Sequence, residues 1–282
     1  MDANGRAALT IGDLAHRTGV PISTLRSWEK RYGFPEPSRQ PGGHRRYNEG
    51  DVDAVLDVLA RRRGGLSLAA AVHRAEVPQV RSGSVFADLR RLYPLLRPQV
   101  LSRRTLVSMS HAIEDECAAR AADPVLFGGF QRERFLRASY DRWLELARTA
   151  RCAVVFADVA DPAPPRRGVP VEVVIPPESP LNREWLVVCD AVDLPACLVA
   201  VERPGQDSDP PTSRTFEAVW SVDPQVVRDA SCIAAALADE LRPGWQDVAD
   251  LPPPPDPPGA SEDLYRATLL FDRMVAYIDA AR

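Results

Sequence analysis

The chain contains one lysine, Lys30, among its 35 basic residues, so arginine carries nearly all of the positive charge. Abundant Ala and Pro accompany that bias, which is what a GC-rich genome produces, and the arginine count alone says little about phosphate binding. No apolar run approaches the roughly 20 residues that cross a bilayer, and no apolar segment of the signal-peptide type opens the chain. No membrane partner and a cytoplasmic location are therefore expected. The five cysteines, at 117, 152, 189, 197 and 232, include no CxxC pair. A zinc cluster or a disulfide framework needs paired spacing, so reduced, buried thiols are expected. His16, His44, His73 and His111 lie near no Cys or Ser nucleophile signature, and GxSxG, P-loop and GxGxxG motifs are absent. His111 stands near Glu114, Asp115 and Glu116 in "HAIEDE", the usual composition of a solvated helix surface. The expectation is a non-enzyme with no metal and no cofactor.

What is present is a division of charge. The 282 residues are 45% apolar and 26% charged, enough to bury a substantial core, and the net charge is −4. The first 80 residues hold 12 basic and 9 acidic residues, whereas the remainder holds 23 and 30. Residues 17–46 carry seven basic residues against Glu29 and Glu36. A basic head on an acidic body points to a polyanion as partner at one end.

The head has a definite local grammar. Thr10 with Asp13 three residues later is a capping-box pattern, Ile11, Leu14 and Ala15 form an apolar stripe, and Gly19 is a stop. Pro21 suits the start of a second helix, in which Leu25, Trp28 and Tyr32 continue one face until Gly33 and Pro35 end it. Two short helices joined by a Gly-containing turn make a helix-turn-helix. "PEPSRQPGGHRRY" should then form a small hairpin, or wing, and "NEGDVDAVLDVLARRR" a third helix. A helix presented in this way enters the major groove with the residues near its N-terminus. The candidate DNA contacts are Arg17, Ser23, Thr24, Arg26 and Arg31, with His44, Arg45, Arg46 and Tyr47 on the wing. Leu25 and Trp28 are expected in the core.

Beyond the head, "VFADLRRLYPLLRPQVLSRR" has a helical pattern interrupted by Pro94 and Pro98 and is expected as a connector over 81–104. Helices are expected near 105–121 and 131–150, followed by strand-like runs at 152–158, 171–175, 185–191, 196–202 and 214–222. These runs follow one another without long helices between them, so the expected fold class is α+β. It combines an N-terminal all-α winged helix-turn-helix domain (1–80) with a C-terminal mixed domain (105–250), its mostly antiparallel sheet flanked by helices. "LPPPPDPPGA" (251–260) should be a stiff spacer before a last amphipathic helix (261–282). There Leu264, Ala267, Phe271, Met274, Ile278 and Ala281 repeat at 3-4-3-4-3, and the helix could either dock on its own domain or pair with a second copy.

"LTIGDLAHRTGVPISTLRSWEKRYGFPEPSRQPGGHRRYNEGDV" resembles the winged-helix DNA-binding domain of the MerR family, particularly the branch with "LRxWExRYG…P…GGHRxY". The resemblance implies a homodimer on an inverted repeat in double-stranded promoter DNA, with an effector biasing two states of the dimer. It departs from the family where Pro94 and Pro98 interrupt the region of the usual dimerisation helix. "LVSMSHAIEDECAARAADPVLFGGFQRERFLRASYDRWLELARTARCAVVFADV" and the runs that follow, roughly 84–240, resemble the DICT sensory domain, for which the resemblance implies no particular ligand. The Trp/Glu/His signature of cobalamin-sensing relatives is not found.

In "FGGFQRERF" two glycines precede a helix bearing Gln131, Arg132 and Arg134. One reading is an anion-holding pocket involving Phe130, Gln131, Arg134 and Trp143. The other is a plain loop before a helix with surface arginines and a core of Phe127, Phe130, Phe135 and Trp143. The leading functional expectation is a regulator controlled by an unidentified small-molecule or protein effector. The alternative is an adaptor whose C-terminal module binds another protein.

Overall fold

A computed structural model describes residues 9–39, 45–63, 68, 71, 72, 75, 82–206, 210, 212–248 and 262–280. The chain divides near residue 81 into two compact units.

In the first unit, α1 (Ile11–Thr18) starts with a complete capping box: the Thr10 hydroxyl accepts from the Asp13 N–H at 3.2 Å, and the Asp13 carboxylate accepts from the Thr10 N–H at 2.8 Å. Gly19, at φ 70°, closes the helix, and Val20 and Pro21 lead directly into α2 (Ile22–Tyr32). A side chain at φ 70° would be strained, which is why a glycine makes this turn. The wing pairs β1 (Ser38–Arg39) antiparallel with β2 (Arg45–Arg46); the expected Gly42–Gly43 turn lies outside the described residues. Leu9 and Tyr47 bridge back to back, tying the start of α1 to the end of the wing. Helix α3 (Glu49–Arg63) adds Val52, Val55 and Val58 to a core of Leu14, Val20, Leu25, Trp28, Phe34 and Tyr47. Leu25 and Trp28, three residues apart, place α2 on that core and leave its opposite face to solvent.

The second unit contains a seven-stranded sheet in the order β3-β9-β8-β7-β4-β5-β6. Its strands are β3 (Gln99–Ser102), β4 (Val125–Gly129), β5 (Cys152–Ala157), β6 (Val171–Val174), β7 (Glu184–Asp190), β8 (Ala196–Glu202) and β9 (Thr215–Ser221). Four of the six neighbouring pairs are antiparallel; β4–β5 and β5–β6 are parallel. Helices α4 (Val85–Leu92) and α7 (Pro224–Leu241) cover one face, where Phe127, Phe156, Leu186, Val188 and Val199 meet Leu89, Val227 and Leu237. Helices α5 (Arg103–Arg120) and α6 (Glu133–Thr149) cover the other, with Leu106, Leu136, Trp143 and Leu146 on Leu126, Val155, Leu198 and Ala200. Central strands covered on both sides explain the near-continuous apolar runs. Cys117, Cys152, Cys189 and Cys197 are buried and Cys232 is half-buried.

Two sequence expectations are corrected. The helical connector expected over 81–104 does contain a helix, but it is part of the body: Val85 and Leu89 are fully buried there, and Glu184 caps α4 by accepting from the Val85 and Phe86 N–H groups at 3.0 and 3.3 Å. "VLFGG" is a strand rather than a loop. As expected from the loop between the two strand-like runs, the parallel β5–β6 step crosses through the proline-rich segment 158–170 without a helix. Arg242 pins that segment by donating to the Ala163 and Glu172 carbonyls, while the Glu172 carboxylate accepts from the Ala163 N–H at 3.0 Å.

The two glycines have a packing reason. A Cβ on Gly128 would lie 2.5 Å from Trp143 Cζ2 and Cη2, and one on Gly129 would lie 2.9 Å from Leu186 Cβ. The Trp143 indole cannot swing aside without losing its 3.1 Å bond to Glu114. Gly128→Ala is therefore expected to destabilise the body by about 1–3 kcal/mol. A urea midpoint equal to wild type would show that Trp143 does not rest on Gly128.

Helix α8 (Glu262–Ala280) docks on its own unit, one of the two arrangements the sequence left open. Asp279 accepts from the Ser102 N–H and hydroxyl at 3.1 and 2.7 Å and from the Thr105 hydroxyl, and Val275 packs near Leu106 and Phe216. The proposed linker 251–260 lies outside the described residues.

Candidate functional site

The first unit gathers cations where two elements meet. Arg26 and Lys30 on α2 and Arg45 and Arg46 on β2 line one open groove, with Thr10 and Ile11 at the start of α1. Glu29 is the acid in this groove, and it accepts from Arg45 Nε at 2.7 Å, holding that guanidinium against α2. Arg26, Lys30 and Arg31 are exposed and have no acidic partner among the described residues. Ser23, Thr24 and Arg31 line a neighbouring hollow with Ser27. Ser23, Arg26, Ser27, Lys30 and Arg31 thus form the exposed face of α2.

Not every candidate is in that set. Arg17 pairs instead with Glu49 of α3. Tyr47 is only 2% exposed, and burial pushes its phenol above the usual tyrosine range, so its ring is a core element and cannot pack on a sugar–phosphate chain. The expectation for Tyr47 is corrected accordingly: a residue ending a row of cations at the wing closes the Leu9 bridge. His44 lies outside the described residues. Lys30 and Ser27 were not among the candidates, though the i, i+4 spacing from Arg26 and Ser23 marks both as belonging to the same face.

The second unit has a cleft between α5 and α6, floored by β7 and the end of β4. Its enclosed part has a volume of about 110 Å³. Ser110, His111 and Glu114 of α5 line it with Phe130, Gln131 and Trp185. Trp185 donates its indole N–H to Ser110 at 2.8 Å. Glu114 is 6% exposed; Trp143 donates to its Oε1 at 3.1 Å, while Oε2 has no hydrogen bond, although Arg142 Nε stands 3.4 Å away. Burial pushes the Glu114 carboxyl up to about 7, against the opposing hydrogen bond and the Arg142 charge. Gln131 is 8% exposed, adopts φ 62°, and has no hydrogen-bond partner for Nε2. Left-handed backbone on a non-glycine residue costs of order 1 kcal/mol and is concentrated at sites where it positions a group.

The cleft opens toward a wider hollow of about 380 Å³ that shares Arg103, Gln131 and Phe135 and includes Arg134. Arg103 stacks over the Phe135 and Trp185 rings at 4.9 and 5.6 Å, and Arg134 over Phe135 at 4.8 Å. Of the candidates, Phe130 and Gln131 line the cleft and Arg134 its mouth, whereas Trp143 lies behind Gly128 and supports Glu114. Arg103, Ser110, Glu114 and Trp185 were not foreseen. Three of them sit on one face of α5 at helical spacing, but a sequence does not say whether such a stripe faces solvent or a cavity.

Comparison with known proteins divides the chain in the same way. Residues 10–47 match the MerR family regulatory protein, and residues 83–203 match DICT, a sensory domain in diguanylate cyclases and two-component system. Over 52 residues the chain is 40% identical to the HTH-type transcriptional regulator MlrA of Escherichia coli, covering 18% of this chain and 21% of MlrA. It is 39% identical over 87 residues to the HTH-type transcriptional repressor CarA of Myxococcus xanthus, covering 30% of each. Over 143 residues it is 28% identical to the HTH-type transcriptional activator TipA of Streptomyces coelicolor, covering 48% of this chain and 54% of TipA. The chain thus spans about a fifth of the length of the MlrA proteins it matches.

Proposed function

We propose that this chain, which joins a MerR-type DNA-binding head at residues 10–47 to a DICT sensory domain at residues 83–203, is a sequence-specific transcriptional regulator. The observation that carries this reading is the convergence of Arg26 and Lys30 of α2 with Arg45 and Arg46 of the wing in one groove. Ser23, Thr24 and Arg26, near the N-terminus of α2, are placed to read base edges, while Arg31, Arg45 and Arg46 hold phosphates. Arg17 reaches the backbone if its exposed pair with Glu49 exchanges for a phosphate.

The functional unit is a homodimer on an inverted repeat in promoter DNA, because one short helix reads too few base pairs to select a site in a genome. Helix α8 supports this assembly: Leu270, Phe271, Met274, Tyr277 and Ile278 are each between 48% and 73% exposed along it. The body receives an effector, and its differential affinity for two dimer states sets the output.

Footprinting on fragments of the source genome at roughly 0.05 and 0.2 M salt, with mass measured by light scattering, tests the proposal. A dimer that protects one inverted-repeat region at both salt concentrations is the expected result. Binding that is unselective and vanishes at the higher salt would overturn it.

A further inference from the structure

We infer that the α5–α6 cleft of the body binds a nucleotide, with its base against Glu114 and Gln131 and its phosphate on Arg103 and Arg134. This deepens the reading of residues 83–203 as a sensory unit and rests on it.

The cleft offers three kinds of contact. Among its lining residues are two buried polar groups without a hydrogen bond: Glu114 Oε2, which has Arg142 Nε 3.4 Å away, and Gln131 Nε2, on the border with the wider hollow. A native structure seldom leaves such groups unpaired, because each costs roughly 1–3 kcal/mol. One is an acceptor and the other a donor, so together they match a ring edge that presents an N–H beside a carbonyl or ring nitrogen. Nucleobases present such an edge. The walls are aromatic: Phe130 and Trp185 line the cleft, and Trp185 is fixed by its bond to Ser110. Flat rings stack on such walls.

At the outer end, Arg103 and Arg134 share the Phe135 ring and have no carboxylate partner among the described residues. Other arginines of the same hollow are engaged: Arg132 pairs with Asp158, Arg214 with Glu202, and Arg183 donates to the Arg203 carbonyl. Burial and the charge of Arg134 both lower the pKa of Arg103, which means that this pair of cations is held against mutual repulsion. A dianionic phosphate relieves that repulsion and suits the guanidinium fork.

The Arg103 guanidinium lies over Trp185, whose indole reaches Ser110, and Glu114 follows Ser110 by four residues, about 6 Å along the helix axis. A nucleotide separates base edge and phosphate by a sugar.

The test is calorimetry on the full chain without DNA, using AMP, GMP, CMP and UMP, the four corresponding nucleosides, and inorganic phosphate. At least one nucleotide should bind one per chain with a Kd below roughly 1 mM, and its nucleoside and free phosphate should each bind at least 10-fold more weakly. Arg134→Ala, at an exposed position, should weaken nucleotide binding at least 10-fold with an unchanged Tm. Glu114→Gln, which keeps an acceptor for Trp143, should reduce the preference among bases. No binding by any nucleotide, equal binding by the nucleoside, or equal binding by phosphate alone would overturn the assignment. Genomic footprints measured in parallel distinguish this from failure of the regulator reading, since a protein without a nucleotide site still protects its operator.

Discussion

Replacing Arg228 by methionine is expected to remove about 3–5 kcal/mol from the stability of the body, enough to leave it largely unfolded if it is an ordinary domain. Arg228 projects from α7, a helix with ten buried residues, and its Nε donates to both oxygens of Asp190 on β7, at 2.9 and 2.7 Å. Both side chains are 3% exposed. The ion pair itself is a weak source of net stability, because two charges have been taken out of water to form it. The large loss comes from breaking it on one side, since Asp190 would remain as a buried carboxylate without its cation. The double replacement Arg228→Met with Asp190→Leu should therefore recover most of the loss. Urea denaturation followed by tryptophan fluorescence measures both variants. A single-variant loss below about 1 kcal/mol would show that Asp190 finds water or another donor when Arg228 is gone.

That pair illustrates where the sequence was legible and where it was not. The head could be read almost residue by residue because its signals are local: the Thr10–Asp13 cap, the Gly19 turn, the Leu25–Trp28 stripe and the Gly33 stop each act within one helical turn. Strands β5 to β9 were legible for a different reason, since burial on both faces leaves a run such as "CAVVFA" with no polar interruption. Strand β4 was not, because Gly128 and Gly129 imitate a turn unless the Trp143 ring above Gly128 is known. Strand β3 follows Pro98 and is only four residues long.

Helix α8 shows the limit of periodicity. The 3-4-3-4-3 stripe correctly marked a helix, yet Phe271, Met274 and Ile278 on that stripe are exposed, while Thr268 and Asp272 are buried. Burial pushes the Asp272 carboxyl up to about 6. Hydrophobic pattern identifies the side that prefers to be covered, but docking here follows the hydrogen bonds of Asp279 to Ser102 and Thr105. Glu114 and Arg228 were hidden for the same reason: a charged residue in a helix reads as solvent-facing, and only the packing of distant elements reveals that it is enclosed. Tyr47 is the converse, a core residue that sits in a run of cations.

Replacing Arg45 and Arg46 together by alanine is expected to weaken binding to every DNA sequence on the order of 100-fold and to flatten its salt dependence. Each phosphate contact contributes about 0.9 to the slope of log K against log salt concentration, so losing two from each head lowers the slope by about 1.8 per head. The groove predicts a different response to Arg26→Ala on the exposed face of α2. There discrimination between operator and mutated operator should fall roughly 10-fold or more, with a smaller change in binding to unrelated DNA. Glu29 complicates the wing, because it loses its 2.7 Å partner when Arg45 is removed. A Glu29→Gln variant therefore serves as the control; it releases Arg45 from its ion pair and should leave the salt slope within about one contact of wild type. Fluorescence anisotropy at four salt concentrations, on operator and non-operator duplexes, separates these effects. A double variant with the wild-type slope would mean that the wing does not touch the phosphates, and the cationic groove would then have to serve another polyanion.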